Sequence, residues 1–178
     1  MKKILIWAGI VLVGLLIISA WLLFGSATSF TGKSAYVFIR NGQSAEAQVK
    51  AQFDTGNIIK FPWLFNLAAS QTGIWEKLKP GRFEIKKDET ILDMARMFRN
   101  NAQSPVKLVI TKLRTKENLA RLISKNFDID SAAVMQSLTN NDSLKQFAAD
   151  TNTVMSLLIP DTYQLKWNLS LNDIMNRL

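Results

Sequence analysis

Apolar and polar positions divide the chain into two parts with different patterns. Residues 4–24 form a run of 21 residues without a charge, whereas the rest of the chain mixes apolar and polar positions at helical or strand spacing. A helix of about 20 residues spans roughly 30 Å, the thickness of a bilayer's hydrocarbon core. The run therefore predicts a single transmembrane anchor over residues 1–25. Lys2 and Lys3 precede it and the next charge is Lys33, which predicts a cytoplasmic amino terminus and export of the residues after the anchor.

A cleaved signal peptide is the alternative interpretation of this run. Signal peptides have an apolar region of about 7–15 residues, followed by a cleavage site built from small residues. Gly25-Ser26-Ala27 supplies small residues, but the apolar run is longer than that range. Both interpretations place the later residues outside the cytoplasm, after a small and polar linker over residues 26–35.

Downstream of the linker, the spacing of apolar positions predicts an α+β fold. β-branched and aromatic residues predict strands over residues 36–40, 82–85 and 106–111. Apolar residues at i, i+3 and i+4 after a start signal predict helices that begin near Ser44, Pro62, Thr90 and Thr115. Two short helices are predicted between residues 128 and 150. A last predicted helix carries an apolar stripe that has no partner left to cover it: Leu171, Ile174, Met175 and Leu178.

Composition narrows the chemistry that the chain can perform. The chain contains no cysteine and no histidine, which excludes disulfides, thiolate catalysis, zinc sites built on those residues, and Ser-His-Asp catalysis. The formal net charge is +8, which suits anionic lipid headgroups, acidic glycans or nucleic acid as partners. Predicted export makes nucleic acid the poorest of these. An ordinary solvated basic surface explains the charge equally well.

Catalysis by this chain would depend chiefly on carboxylates, so each glutamate is a candidate. Glu46 and Glu117 fall in the first turns of predicted helices, where a carboxylate meets the positive end of the helix dipole. Glu89 lies in a charged turn and is expected to be solvated. Glu76 comes after a tryptophan but has no evident partner. Glu84 alternates with Phe83 and Ile85 on a strand, which favours a solvent-facing position over a catalytic one.

The stretch LLIPDTYQLKW, residues 157–167, is the strongest candidate for a site. Pro160 breaks an apolar run and presents Asp161, Thr162 and Tyr163 together. One interpretation is a turn in which Asp161 bonds to its own backbone after Pro160 has prepared the turn. The other is a binding or catalytic site. The spacing of these residues leaves both interpretations open.

Four segments then show a likeness to a known family. They are VFIRNGQSAEAQVKAQFDTGNII (37–59), LKPGRFEIKKDETILDMARMFRNN (78–101), VKLVITKLRTKENLARLISKNF (106–127) and LIPDTYQLKWNLSLNDIMNRL (158–178). In this order they resemble the YceG-like family of endolytic murein transglycosylases. IPDTY is similar to the family's FPDTY signature, in a form associated with Bacteroidetes members. One departure is Met155-Ser156, where many relatives have Glu-Gly.

The resemblance implies a fold and a set of domains. It implies a LysM-like subdomain of βααβ type, placed at residues 36–111. It also implies the first part of a mixed α/β catalytic domain, placed at residues 112–178. In the family the catalytic glutamate lies beyond the signature in a motif that would fall after Leu178, so we expect the chain to be an incomplete part of the protein with no catalytic residue of its own. The implied substrate-cleft candidates are Pro160, Asp161, Thr162, Tyr163 and Trp167.

The resemblance also implies an activity and its surroundings. The expected activity is cleavage of nascent peptidoglycan strands by a lyase reaction that leaves 1,6-anhydro-muramic ends, with no metal and no cofactor. The expected location is the inner membrane, with the main domain periplasmic, and the expected partners are glycan strands, the membrane and cell-wall synthases, with no nucleic acid. The alternatives are a tethered module that binds peptidoglycan without cutting it, and a scaffolding partner of the cell-wall synthesis machinery that binds through the membrane helix or through a basic surface at Arg82, Lys86 and Lys87.

Overall fold

Helices and short strands alternate along the chain in the computed structural model, which describes residues 2–111 and 113–178. The side chains of residues 2–6, 8, 16, 18, 19, 22 and 23 lie outside the described set. The helices are α1 (Lys2–Phe24), α2 (Ala45–Gly56), α3 (Pro62–Gln71), α4 (Ile74–Lys77), α5 (Ile91–Arg99), α6 (Lys116–Asn126), α7 (Ser131–Leu138), α8 (Asn141–Leu144) and α9 (Leu171–Met175). The strands are β1 (Ser34–Ile39), β2 (Gly81–Lys86), β3 (Val106–Val109) and β4 (Thr162–Leu165). The chain divides into two compact units, Met1–Gln103 and Ser104–Leu178, here called unit 1 and unit 2.

The sheet of unit 1 pairs β1 with β2 in antiparallel register. Alternation of side chains along each strand sends Val37, Ile39, Phe83 and Ile85 to one face, where all four are fully buried. This face belongs to the core cluster that also includes apolar residues of α2, α3 and α5. Phe98 of α5 lies with its ring centroid 5.0 Å from that of Phe83. The core of unit 1 is therefore an aromatic cluster closed by the inner face of a two-stranded sheet.

Two glutamines of α2 cover the outer edge of β1. Gln52 accepts a hydrogen bond from the Phe38 N–H (2.9 Å) and donates one to the Phe38 carbonyl (2.7 Å). Gln48, one helical turn earlier, forms the same pair of bonds with the N–H and carbonyl of Arg40, at 2.9 and 3.0 Å. Because a side-chain amide has one acceptor and one donor group, each glutamine replaces one residue of a neighbouring strand. The edge of β1 is thus closed by side chains.

The segment before β1 is bonded to the core of unit 1. Ala27 and Thr28, within the predicted linker over residues 26–35, are both buried. The Ala27 N–H donates to the Glu89 carbonyl (3.0 Å), and the Asp88 N–H donates to the Thr28 hydroxyl (3.0 Å). This part of the predicted linker is therefore an integral part of the fold of unit 1.

The sheet of unit 2 pairs β3 with β4, again antiparallel. Val106 and Leu108 of β3 and Leu165 of β4 are buried. The helices of unit 2 add buried positions of their own, including Leu119 and Ile123 of α6. β3 thus belongs to the second unit, while the predicted domain limits, 36–111 and 112–178, stay predictions.

The predicted membrane anchor is contradicted. No helix in the described part of the chain is long and apolar enough to cross a bilayer. The prediction rests on the uncharged run over residues 4–24 of the sequence. The predicted single-pass inner-membrane localisation is contradicted with it. The side chains of Lys2 and Lys3, on which the predicted orientation depends, lie outside the described residues.

The prediction that the stripe of α9 lacks a covering surface is also wrong. Ile174, Met175 and Leu178 are buried. The Leu178 carbonyl accepts a hydrogen bond from the Ile159 N–H (3.2 Å). The end of α9 therefore packs back on the chain that precedes β4, a contact between distant residues that helical spacing alone does not reveal.

Candidate functional site

Asp161 lies at the entry to β4, held by two hydrogen bonds. One of its carboxylate oxygens accepts a bond from the Thr162 N–H (2.6 Å), and its carbonyl accepts one from the Ile110 N–H (2.9 Å). Pro160, which has no N–H to donate, precedes it and is exposed. The carboxylate group is itself exposed. The local turn and an accessible acidic group therefore occur together at this position.

Thr162 and Tyr163 point in different directions, as successive strand residues must. Thr162 is exposed and lies opposite Val109 of β3. Tyr163 lies opposite Leu108 and is half-buried. The Tyr163 hydroxyl is 2.8 Å from the Ile159 carbonyl and 3.0 Å from the Leu178 carbonyl. Since a hydroxyl has one proton to donate, the two carbonyls share it, and the tyrosine joins β4 to the end of α9.

The exposed surface at the start of β4 is partly apolar. Ile159 is 64 % exposed and Val109 is 45 % exposed, beside the polar groups of Asp161 and Thr162. Pro160, Asp161 and Thr162 thus lie together on one exposed patch, here called the β4 entry, while Tyr163 supports it from beneath.

Trp167, the remaining cleft candidate, is not on this surface. It is 7 % exposed, and its carbonyl accepts a hydrogen bond from the Asp128 N–H (3.4 Å). Its ring is packed within unit 2 and offers little area for stacking on a sugar. Trp63 of α3 is the contrasting case, at 59 % exposed. A contribution of the five candidates to substrate binding stays a prediction.

Glu89 is the carboxylate whose environment the sequence does not reveal. One of its carboxylate oxygens is buried without a hydrogen-bond partner in the described structure, so the expectation of a solvated side chain is wrong. Burial raises the pKa of the Glu89 carboxyl above its ordinary value of 4.5, and the neighbouring charge of Asp93 adds to the rise, while a backbone hydrogen bond from Lys86 opposes it. Glu89 lies in unit 1 between β2 and α5, and the β4 entry is in unit 2.

Other carboxylates have structural partners. Glu46, in the first turn of α2, forms an ion pair with Lys50 at 2.5 Å. Glu117, in the first turn of α6, has a pKa lowered by its own backbone N–H and by the Thr115 hydroxyl. Glu84 lies opposite Tyr36 on the outer face of the unit 1 sheet, 3.5 Å from its hydroxyl. Glu46 and Glu117 therefore have the helix-terminal positions that the sequence predicts.

Metal binding has no support in the described part of the chain. No three acidic side chains there are grouped closely enough to hold an ion. The oxygen-rich sites that Ca²⁺ or Mg²⁺ prefers need several carboxylate or carbonyl ligands at one point. The β4 entry supplies a single carboxylate.

Comparison with known proteins identifies the class of protein. A sequence profile described as the YceG-like family matches residues 37–178, which include most of unit 1, all of unit 2 and the β4 entry. The chain belongs to the YceG-like family. No curated protein matches it significantly.

A solved structure shows a weaker likeness. A crystal structure of a yceG-like protein from Listeria monocytogenes matches with 18 % sequence identity and a TM-score of 0.38. The match covers 82 % of this chain and 53 % of the Listeria protein, so the chain spans about half the length of that protein. The family assignment rests on the sequence match.

Proposed function

We propose that the protein is a lytic endotransglycosylase that cuts the glycan strands of peptidoglycan, and that the β4 entry contacts the strand. The observation that carries this proposal is the family match over residues 37–178. The exposed carboxylate and hydroxyl at the β4 entry, beside the apolar surface of Ile159, suit a sugar that has both hydroxyl groups and an apolar ring face. The positive net charge suits an acidic glycan.

The proposed reaction needs one carboxylic acid and no water. The acid first donates its proton to the glycosidic oxygen, and the bond from C1 of the muramic acid to that oxygen breaks. The resulting carboxylate then accepts the proton of the sugar's own 6-hydroxyl, whose oxygen bonds to C1 and closes the 1,6-anhydro ring. Glycosidases that use water or an enzyme nucleophile require a pair of carboxyl groups instead.

We assign the role of the catalytic acid to none of the carboxylates in the part of the chain that the structure describes. Asp161 is exposed, and its carboxylate accepts a hydrogen bond from the Thr162 N–H within the turn that precedes β4. Glu89 has a raised pKa, but its unpartnered oxygen is enclosed in unit 1. We therefore expect residues 1–178 to bind glycan strands and to release no 1,6-anhydro products.

Glycan-strand length in cells tests the proposed activity. Cells that lack the protein are expected to contain longer glycan strands with fewer 1,6-anhydro ends, measured by chromatography and mass spectrometry of digested sacculi. Unchanged strand length and unchanged anhydro content would contradict the proposal. If the 178-residue chain releases anhydro ends from isolated sacculi, one of its own residues acts as the catalytic acid, and our expectation that it releases none is wrong.

A binding module without catalysis is the second candidate. It is favoured by the single, exposed carboxylate of the β4 entry. Under this alternative, sacculi retain the purified chain while loss of the protein leaves the number of anhydro ends unchanged. The two candidates are therefore separated by the product measurement, since both expect binding.

A further inference from the structure

The pattern of hydrogen bonds between β3 and β4 determines which of their backbone groups point away from the partner strand. The Ile110 N–H donates to the Asp161 carbonyl (2.9 Å), and Leu108 lies opposite Tyr163 in the same register. In an antiparallel pair, hydrogen-bonded and non-hydrogen-bonded positions alternate. Ile110 and Leu108 are therefore bonded positions. Lys107 and Val109 direct both their N–H and their carbonyl groups away from β4.

This edge of β3 is open. Lys107 and Val109 are exposed, and neither backbone forms a hydrogen bond along the outer side with any part of the chain that the structure describes. The equivalent edge of β1 is closed by Gln48 and Gln52. On the opposite side of the unit 2 sheet, the Thr162 N–H is already bonded to the Asp161 carboxylate. The β3 edge is therefore the side of this sheet that offers two complete backbone donor–acceptor pairs.

We propose that the β3 edge binds the peptide stem of peptidoglycan in an extended conformation, as an added strand. The proposal rests on the proposed function, which supplies peptidoglycan as the substrate. An exposed strand edge binds extended peptides through main-chain hydrogen bonds, because each outward residue presents one donor and one acceptor to an amide.

The spacing of the open groups matches a peptide. Lys107 and Val109 are two residues apart along a strand, a distance of about 7 Å, which is also the repeat of every second residue in an extended α-linked peptide, such as the end of a peptide stem beyond its γ-linked glutamate. The acetamido groups of a glycan recur on the same side of the strand only at the longer repeat of a disaccharide. The peptide stem is therefore favoured over the sugar chain as the occupant of this edge.

Charge and position support the same occupant. Lys107, on the β3 edge, and Lys166, just after β4, are exposed cations, while peptide stems carry free carboxylates. Val109 also lies opposite Thr162 of the β4 entry. The β3 edge is therefore separated by a single strand from the surface where the glycan is proposed to bind. A glycan strand bound at the β4 entry thus places its peptide branch along β3.

A proline substitution tests the edge selectively. Proline is tolerated on an edge strand where the lost N–H faces outward, so Val109→Pro removes one outward donor without removing a bond to β4. Val109→Ala keeps the donor, and Gln164→Pro removes an outward N–H from the opposite edge. The probes are soluble muropeptides with intact stems and the same glycans with their peptides removed by an amidase. Binding and amide hydrogen exchange are both followed by NMR in the full chain.

The expected results distinguish the occupants. Muropeptides with stems are expected to slow the exchange of the Lys107 and Val109 amides, and Val109→Pro to weaken their binding about tenfold, as expected for one lost hydrogen bond of about 1.4 kcal/mol. Val109→Ala and Gln164→Pro should change binding by less than about threefold.

Three outcomes would overturn the proposal. They are equal protection of these amides by peptide-free glycan, no protection of the wild-type chain by stem-bearing muropeptides, and protection that rises with protein concentration alone, which would identify a second copy of the chain as the occupant. The wild-type exchange measurement decides the question even if Val109→Pro fails to fold. If stems bind here while cells without the protein keep their anhydro ends, the proposed activity fails and the binding edge stands.

Discussion

The two sheets of the molecule have the same number of strands and each has a buried inner face, but their outer edges differ. In unit 1, the inner face of β1 and β2 is fully buried under an aromatic cluster, and α2 closes the outer edge of β1 with two glutamines. In unit 2, Val109 of β3 is 45 % exposed and the outer groups of its strand have no partner in the part of unit 2 that the structure describes. Within the described part of the chain, one two-stranded sheet thus has an edge closed by helix side chains and the other has an edge left open. The difference depends on the neighbouring helix rather than on the strands.

Removing an aromatic ring from the closed sheet should have the largest effect. Phe83→Ala is expected to cost about 3–5 kcal/mol of unfolding free energy, because the ring is fully buried and its centroid lies 5.0 Å from that of Phe98. Val109→Ala on the exposed side of the other sheet should change the free energy by less than about 0.5 kcal/mol. Urea unfolding of both variants measures the difference. Similar costs for the two would contradict the buried position of Phe83 or the exposed position of Val109.

Opening the edge of β1 should have an intermediate effect. Gln52→Ala leaves the Phe38 N–H and carbonyl without their side-chain partner, and we expect a loss of about 1–3 kcal/mol. Gln71→Ala at the end of α3, where the side chain is exposed, is the matched control and should be nearly neutral. Urea unfolding again gives the free energies. A neutral Gln52→Ala would mean that water replaces the glutamine without penalty, and the edge of β1 would then be no better closed than that of β3.

In unit 2, Tyr163→Phe should cost about 1 kcal/mol, since it removes a hydroxyl that donates to the Ile159 or Leu178 carbonyl and keeps the ring. Thermal unfolding measures the loss, and faster amide exchange at Ile159 would locate it at the contact with the end of α9. No change in that exchange would show that the tyrosine does not hold the β4 entry in place.

The smallest expected effects are pH dependences of opposite sign in the two units. The pKa of Glu89 is raised by burial, so its folded state holds the proton more tightly than the unfolded state, and stability is lost as pH rises from 4.5 through the higher folded pKa. The pKa of Asp150 is lowered by hydrogen bonds from Thr153 and Asn152, so its contribution is present above 3.8 and is lost as pH falls through the lower folded pKa.

Two amide variants test these signs. Relative to wild type, Glu89→Gln is expected to gain stability as pH rises above 4.5, while Asp150→Asn is expected to lose stability as pH rises towards 3.8. Urea unfolding at each pH supplies the values. Parallel curves for wild type and Glu89→Gln would argue against a buried, ionising carboxyl at that position.

Local features of the fold can be predicted from the sequence. Ser44, Thr90 and Thr115 each accept a hydrogen bond from an N–H in the first turn of the helix that they precede, as their spacing predicts. The apolar face of α5 is buried as predicted. Capping and helical periodicity involve residues three or four positions apart, so a single sequence contains the full signal.

Features that depend on distant residues cannot be predicted in the same way. β3 pairs with β4 across more than 50 intervening residues, and nothing in either segment specifies the partner. One carboxylate oxygen of Glu89 is buried, and the Glu89 carbonyl accepts a hydrogen bond from Ala27, a residue far away in the sequence. Trp167, predicted beside the cleft residues, is buried instead. At the β4 entry, the sequence allows either a turn at Asp161 or a site, and the structure shows the turn and an exposed carboxylate together.

Amide hydrogen exchange of the free chain in dilute solution tests the difference between the two sheet edges most directly. The amides of Phe38 and Arg40, bonded to Gln52 and Gln48, are expected to exchange slowly. The amides of Lys107 and Val109 should exchange close to the rate of an unprotected backbone. Equal and strong protection of all four would show that the β3 edge is already covered, and the account of unit 2 as an open binding surface would then be wrong.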